Sequence, residues 1–223
     1  MTASLCLDTS TVRIHPSAIV EDDVQVGAGT AIWDNVHIRH SSRLGAECIV
    51  GEKSYVACNV HIGSRVKINA FVYICSAVTI EDGVMIGARV VFTNDRYPRA
   101  TTPDLRQLRT SEPDEHTLPT LVREGATIGA ASTIGCDLVI GRFAMVGMAS
   151  VVTHSVPDFA LMVGCPARCV GYVCRCGNPL LRSCDGRLPA AAELRCAGCG
   201  YSYNLANNIL TEMTPKASAP MAR

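Results

Sequence analysis

The stretch IVGEKSYVACNVHIGSRVKINAFVYI, residues 49–74, repeats a simple pattern every six residues. The residues that recur in it are aliphatic: Val50, Val56, Ile62, Ile68 and Ile74. A period of six differs both from the 3.6-residue turn of an α-helix and from the alternation of one long strand. It suits a short strand followed by a tight turn, in which the aliphatic side chain points inward.

The same register continues on both sides of this stretch. It is occupied by Ile14, Val20, Val26, Ile32, Ile38 and Leu44 before it, and by Ile80, Ile86, Phe92, Val122, Ile128, Ile134, Ile140, Val146 and Val152 after it. A small or β-branched residue often stands four positions later, and glycine often follows directly, where we expect it to ease the corner. Three units make a triangular coil of eighteen residues, and stacked coils make an all-β parallel β-helix. The alternative, a β-sandwich, would not keep one register for so long.

Composition and charge narrow the classes of function. The 223 residues carry 20 Lys and Arg against 20 Asp and Glu, so no net field favours a nucleic acid or a membrane surface as partner. Hydrophobic residues make up 48% but aromatic residues only 5%, which is typical of a narrow core of Val, Ile and Ala. The sequence contains neither an apolar run of bilayer length nor a charged-then-apolar leader, and we expect a cytoplasmic protein.

The register is interrupted between Phe92 and Val122. Residues 93–121 are rich in proline and charged residues and poor in aliphatic ones, so they cannot form another coil. We expect them to leave the β-helix as a long loop, called the excursion below. Loops of this length within a compact repeat are usually functional or disordered, and a tolerated insertion is the alternative to a functional loop.

The excursion begins with polar residues at the edge of a rigid coil. Asn94 and Asp95 come first, and a coil edge holds such side chains in fixed positions. Arg96 and Arg99 follow, and guanidinium groups suit bidentate contacts with phosphate. We therefore expect the start of the excursion to border a binding cleft.

Counting in coils of eighteen residues predicts two surface columns. The first contains His40, Cys58, Ser76 and Asn94, and the second contains His37, Tyr55 and Tyr73. A sugar or a nucleotide fits along such columns, although ladders of polar side chains also occur without a ligand. The first column leads directly to the point at which the register stops.

Three motifs and the repeat carry a resemblance to a known family. The repeat over residues 14–172 resembles the hexapeptide-repeat acyltransferases, which are left-handed β-helices and normally homotrimers with sites between subunits. The segments HPSAIVEDDVQVG, VVFTNDRYPR and VPDFALMVGCPAR are similar to those of the nucleotide-sugar amine N-acetyltransferases. Enzymes of that subgroup transfer an acetyl group from acetyl-CoA to a 3-amino sugar linked to UDP or TDP.

The resemblance implies roles for particular residues. Asn94 corresponds to the asparagine at the reaction centre. Among the six histidines of the chain, His116 in the excursion or His40 is the reserve base if the reaction uses one. The expected acceptor-binding residues are His37, His40, Asp95, Arg96, Tyr97 and Arg99. The residues expected near coenzyme A are Gly129, Gly147, Gly164, Pro166 and Arg168.

The chemistry of such a transfer demands little acid–base catalysis. Acetyl-CoA is an activated thioester, and a sugar amine flanked by hydroxyl groups is partly neutral near pH 7, so positioning matters most. The departing thiolate can take up the proton. Asn94 could orient the amine or polarise the thioester carbonyl, while backbone N–H groups at coil corners stabilise the oxyanion.

The cysteines of the C-terminal part predict a metal site. Cys174-x-Cys176-Gly and Cys196-x-x-Cys199-Gly have the spacing of a zinc ribbon, which we expect over residues 173–210. Four thiolates would hold a structural Zn²⁺, and Cys184 is a possible substitute ligand. Most hexapeptide enzymes end soon after the Pro-Ala-Arg segment, so the ribbon is a departure. It could pack on the β-helix, recruit a partner or sense redox state.

The remaining terminal segments are expected to be tails. Residues 1–13 form an N-terminal tail in this interpretation, and residues 211–223 form a disordered one. Three other functions stay open: an acyltransferase acting on a free amino sugar or an antibiotic, a γ-type carbonic anhydrase, and a non-enzymatic scaffold whose ribbon binds a partner. The carbonic anhydrase is disfavoured because the histidines do not align on adjacent coils.

Overall fold

A computed structural model describes residues 11–183 and 187–213, and it contains only strands and turns over these ranges, apart from a single 3₁₀ residue at Thr11. The β-helix is built of β1 Arg13–Ile14, β2 Ile19–Val20, β3 Gln25–Val26, β4 Ala31–Ile32, β5 His37–Ile38, β6 Arg43–Leu44, β7 Ile49–Val50, β8 Tyr55–Val56, β9 His61–Ile62, β10 Lys67–Ile68, β11 Tyr73–Ile74, β12 Val78–Ile80, β13 Met85–Ile86, β14 Val91–Phe92, β15 Thr120–Val122, β16 Thr127–Ile128, β17 Thr133–Ile134, β18 Leu138–Ile140, β19 Met145–Val146 and β20 Val151–Val152. The C-terminal strands are β21 Ala160–Gly164, β22 Ala167–Val173, β23 Pro179–Arg182, β24 Ala191–Arg195, β25 Ser202–Ala206 and β26 Ile209–Met213.

The strands of the β-helix form three parallel sheets, one for each face of the triangular coil. The sheets run β1-β4-β7-β10-β13-β16-β19, β2-β5-β8-β11-β14-β17-β20 and β3-β6-β9-β12-β15-β18. Paired residues lie one coil apart, as Ala31 and Ile49 do. The predicted parallel β-helix is confirmed.

Every position of the six-residue register ends one of the strands β1–β20. From Ile32 onward these side chains are buried, and Ile38, Ile74 and Ile134 among them have no exposed surface. Each face of the coil contributes a single inward side chain per strand, so the interior is narrow. Aromatic rings are therefore scarce in it. The hydrophobic effect over this column of aliphatic side chains is the main term that stabilises the fold.

Small polar residues at buried corner positions hold adjacent coils together. The Ser42 hydroxyl donates to the Ala57 carbonyl at 2.8 Å and accepts from the Val60 N–H at 3.2 Å. Thr30, Ser54 and Ser132 bond to the next coil in the same manner. These hydroxyls satisfy backbone groups that a corner would otherwise bury without a partner.

The glycines that follow the aliphatic residues have a different purpose from the one expected. The left-handed backbone at the corners is carried mainly by other residues, such as Asn35, Glu47 and Lys53. Gly51 is needed for space instead: a Cβ there would lie 2.6 Å from the carbonyl carbon of Asn69 in the next coil. At Gly51 the two coils therefore approach each other too closely for a side chain.

The excursion is slightly shorter than the sequence suggested. Thr120 and Leu121 pair in β15 with β12 and β18, so the loop covers residues 93–119. Across the loop the register is kept, because Met85 pairs with Thr127 in the same sheet. The chain thus leaves the β-helix and returns without shifting any later side chain to another face.

The C-terminal part adds strands beyond the last coil: β21 pairs parallel with β19, and the pairings after it are antiparallel. Strands β21, β22 and β23 extend the first sheet, and β24, β25 and β26 form a separate three-stranded sheet. Residues 211–213 belong to β26, so assigning them to a disordered tail was wrong; they pair with Ser202–Asn204. Residues 1–10, Cys184 and residues 214–223 lie outside the described ranges. Within those ranges no helix is long and apolar enough to cross a membrane.

Candidate functional site

The column of His37, Tyr55 and Tyr73 is present on the second sheet. Tyr55 pairs with His37 on one side and with Tyr73 on the other. The two tyrosine rings stack with centroids 5.3 Å apart, and the imidazole of His37 meets Tyr55 edge-on at 5.3 Å. The result is a partly exposed aromatic surface that ends beside β14, where the excursion begins.

The carboxylate of Glu21 holds His37, the first residue of this column, in place. His37 Nε2 lies 2.7 Å from Glu21 Oε1, and the guanidinium of Arg39 bonds to both Glu21 and the Tyr55 hydroxyl. Partial desolvation raises the pKa of Glu21, but hydrogen bonds from the His40 backbone N–H, His37 and Arg39 outweigh it and hold that pKa at about 2. His37 is therefore oriented by an ionised carboxylate.

The second column runs along the neighbouring corner and meets the excursion. Cys58 Sγ lies 3.3 Å from Ser76 Oγ, one coil away. Ser76 and Asn94 line a polar cavity of about 120 Å³ that the excursion closes from outside. The corner column predicted from the eighteen-residue count thus leads into a cleft.

Ion pairs anchor the excursion over this cavity. The Arg109 guanidinium lies 3.3 Å from Asp95 Oδ2 and 3.8 Å from Asp114 Oδ2, and all three side chains are about three-quarters buried. The Leu118 N–H donates to the Asn94 carbonyl at 2.8 Å and closes the base of the loop. These contacts tie both ends of the excursion to one corner.

The structure brings the two predicted catalytic residues together with two of the predicted acceptor-binding residues. Asn94, Asp95, Arg99 and His116 all line the cavity. The His116 side chain is about half exposed, and its ring lies 3.8 Å from Glu115. The cavity is therefore lined by amide, carboxylate, guanidinium and imidazole groups, which suits a polar ligand.

The other predicted acceptor-binding residues do not line this cavity. Arg96 forms an ion pair with Asp137 in a later coil, at 2.8 Å, so its guanidinium is already engaged. Tyr97 is 79% exposed. His37 lies on the sheet face described above rather than in the cavity.

The residues expected near coenzyme A lie at the far end of the β-helix. Gly129 and Gly147 follow β16 and β19, and a Cβ at either would meet the next chain segment at 2.5 Å and 2.7 Å. Gly164 and Pro166 form the turn between β21 and β22, with a cis peptide bond before the proline. Arg168 is exposed on β22.

Sequence reasoning missed two residues that organise the cleft. Arg109 and Asp114 were not selected, because the excursion has no periodicity from which a contact could be counted. Asp114 Oδ1 accepts the His116 backbone N–H at 2.9 Å and so positions the histidine. The alternation of basic and acidic residues in this loop was the only signal available.

The four predicted cysteine ligands converge in the C-terminal part. The sulfur atoms of Cys174, Cys176, Cys196 and Cys199 lie within 4.8 Å of one another. Each pair sits on a tight knuckle, closed by N–H donation from Gly177 to Cys174 and from Gly200 to Cys196. Four sulfur atoms converging on one point fit a tetrahedral metal with no open position.

This cysteine cluster packs against the last coil of the β-helix. The Tyr203 hydroxyl contacts Cys174 Sγ and the Arg175 N–H, each at 3.1 Å, while its ring meets Phe159 edge-on. The Arg175 guanidinium lies between the rings of Phe143 and Tyr201. The described part of the ribbon therefore covers the end of the aliphatic core, as terminal caps of repeat proteins do.

Comparison with known proteins identifies the repeat. Residues 59–94 match the family model described as bacterial transferase hexapeptide (six repeats). A segment of 94 residues is 43% identical to dTDP-3-amino-3,6-dideoxy-α-D-galactopyranose 3-N-acetyltransferase of Aneurinibacillus thermoaerophilus, covering 42% of this chain and 45% of that protein. The predicted resemblance to hexapeptide-repeat transferases is confirmed.

More distant similarities cover more of the chain. The bifunctional protein GlmU of Heliobacterium modesticaldum is 26% identical over 181 residues, covering 67% of this chain and 36% of that protein. Among solved structures, WeeI of Acinetobacter baumannii is 25% identical with a TM-score of 0.46, over 70% of this chain and 56% of that one. The chain spans less than half the length of these curated relatives.

Proposed function

We propose that the protein transfers the acetyl group of acetyl-CoA to the amino group of a sugar linked to UDP or TDP. The observation that carries the proposal is the 43% identity to an N-acetyltransferase whose name specifies a dTDP-linked 3-amino sugar. The polar cavity at Asn94 supports it, because the cavity lies where the motif FTND leaves the β-helix. An acceptor amine would bind there.

The reaction needs few catalytic groups in this proposal. The amine nitrogen attacks the thioester carbonyl carbon, the carbon–sulfur bond breaks, and the thiolate takes up the amine proton to leave an amide and free coenzyme A. The Asn94 side chain orients the amine or donates to the developing oxyanion. His116, held by Asp114, is the reserve base.

The cavity at Asn94 is too small to hold both the donor and the acceptor. A cavity of about 120 Å³ is small beside the roughly 300–1,000 Å³ of ordinary ligand pockets. We therefore expect a neighbouring copy to complete the site, in a homotrimer. In that assembly Gly164, Pro166 and Arg168 bind coenzyme A, while Arg99 and the column of His37 contact the nucleotide sugar.

The cysteine cluster is proposed to hold a structural Zn²⁺. All four ligands are thiolates, so the ion would have no open position and no part in acetyl transfer. Its contribution would be to fold the ribbon, since a short segment with little core depends on its metal for stability. Removal of zinc by a chelator should release the ribbon from the last coil, observed as increased proteolysis after residue 173.

The decisive test is thiol release from acetyl-CoA with UDP- and TDP-linked amino sugars, in the wild type and in Asn94→Ala. We expect turnover with an amino sugar, none with its hydroxyl analogue, and a loss of about 10²–10³ in rate for the variant. Asn69→Ala, which follows β10 on another sheet, is the control. Full activity in Asn94→Ala would end its central role, and turnover of only a free amino sugar would favour the alternative acceptor. Absence of coenzyme A binding would favour the scaffold.

A further inference from the structure

Two potential metal ligands stand one above the other on the corner column. His40 and Cys58 are eighteen residues apart, and the Asn59 N–H donates to the His40 carbonyl at 3.3 Å. Glu21 holds His40 through its backbone N–H rather than through the imidazole. Stacking of the coils therefore fixes the spacing between the backbones that carry the imidazole and the thiol.

A third ligand comes from the excursion. The carboxylate of Glu112 is brought to this corner, and the ligand atoms of Glu112, His40 and Cys58 all lie within 4.8 Å of one another. Cys58 is buried, with 4% of its surface exposed, whereas Glu112 is exposed and also lines the cavity. The cluster is thus at the edge of the cleft, with one buried sulfur and one accessible oxygen.

The donor set points to a particular class of ion. Thiolate and imidazole are typical ligands of Zn²⁺ and related transition metals, whereas Mg²⁺ and Ca²⁺ prefer sites made of oxygen alone. Three protein ligands leave a tetrahedral ion one open position, in contrast to the closed site of four cysteines in the ribbon. Two of the ligands are held by rigid coils, which reduces the entropy lost on binding.

From this geometry we propose that His40, Cys58 and Glu112 form a second metal site that binds one divalent transition-metal ion, with Zn²⁺ as the natural candidate. The site is distinct from the ribbon in ligand type, in openness and in position on the β-helix. It involves no covalent step, and the proposal does not depend on acetyl transfer. Binding would release the proton of the Cys58 thiol, because only the thiolate is a metal ligand.

The test is a titration of the full-length, metal-free protein with Co²⁺. Gel filtration then removes unbound Co²⁺, and metal analysis gives the number of ions that remain bound per chain. We expect two ions per chain, one at the ribbon and one at the second site. Cys58→Ser and Glu112→Gln should each lower the affinity for the second ion by a factor of roughly ten or more, and should leave the affinity for the ion at the ribbon unchanged. Cys48→Ser and Glu115→Gln are the matched controls, a buried thiol and an exposed carboxylate outside the cluster.

Each other outcome counts against the proposal. One ion per chain in the wild type would overturn it, since only the ribbon would then bind metal. A second ion retained in full by Cys58→Ser would show that another donor set binds it. Because Glu112 is on an exposed loop, Glu112→Gln should fold normally, so its loss of metal cannot be attributed to unfolding.

Discussion

Removal of the Arg109 guanidinium should loosen the excursion and lower activity without unfolding the β-helix. Arg109 joins Asp95, at the start of the loop, to Asp114, near its end, over distances of 3.3 Å and 3.8 Å. Ion pairs of this kind contribute about 0.5–1 kcal/mol each, so Arg109→Ala should cost about 1–2 kcal/mol of loop closure. If the closed loop forms the acceptor site, the corresponding fall in kcat/KM is roughly 5–30-fold.

Two assays report on this effect independently. The first is kcat/KM for acetyl transfer. It is measured well below saturation, where the rate depends on the fraction of molecules in which the excursion is closed. The second is limited proteolysis with thermolysin, which cleaves before exposed leucines and should attack Leu105 and Leu108 faster in the variant. The melting temperature should hardly change, because the excursion contributes nothing to the aliphatic core.

The matched control is Arg106→Ala at the tip of the same loop. Its side chain is 84% exposed and its Nε lies 3.9 Å from Asp104, so its loss should change neither assay. Equal rates and equal proteolysis for Arg109→Ala and Arg106→Ala would show that the Arg109 ion pairs do not hold the excursion closed. Arg109→Lys, which keeps the charge but not the planar fork, should fall between Arg109→Ala and the wild type.

Three further predictions concern stability. The pKa of Glu21 is about 2 in the folded protein against 4.5 ordinarily, so its contribution to stability is present above pH 4.5 and is lost as the pH falls toward 2. In Glu21→Gln the melting temperature should therefore fall less steeply with decreasing pH than in the wild type, and an equal slope would contradict this. Gly51→Ala should lower the free energy of unfolding by about 1–3 kcal/mol, measured in urea, because its Cβ would meet Asn69 at 2.6 Å; unchanged stability would mean that the coils can separate. Tyr203→Phe removes the hydroxyl contacts with Cys174 and Arg175 and should lower the free energy of unfolding by about 1–2 kcal/mol, measured by thermal unfolding. An unchanged free energy of unfolding would mean that water replaces both contacts.

The sequence predicted the repetitive part of this protein well. A strict period is a local property that is read by counting, and each aliphatic position became the end of a strand. The same counting aligned His37 with Tyr55 and Tyr73, because one coil always contains eighteen residues. The handedness of the β-helix came from the family resemblance alone.

The purpose of the glycines could not be counted in this manner. Their position was evident from the repeat, but the reason for it was wrong: they permit close approach between coils, while residues such as Asn35 and Lys53 adopt the left-handed backbone. How near one coil lies to the next is a property of packing. It becomes visible only when the neighbouring backbone is in place.

In the candidate site, too, some features follow from spacing along the chain and others depend on packing. Spacing along the chain was enough to predict the coil register, the point at which the excursion leaves the β-helix and the four convergent cysteines. Three contacts could be seen only in the folded chain: Arg109 with Asp95 and Asp114, Arg96 with Asp137, and Glu112 with His40 and Cys58. The excursion has no period, so its contacts depend on how an irregular chain folds back onto the corner, where charge pairing rather than register selects the partners.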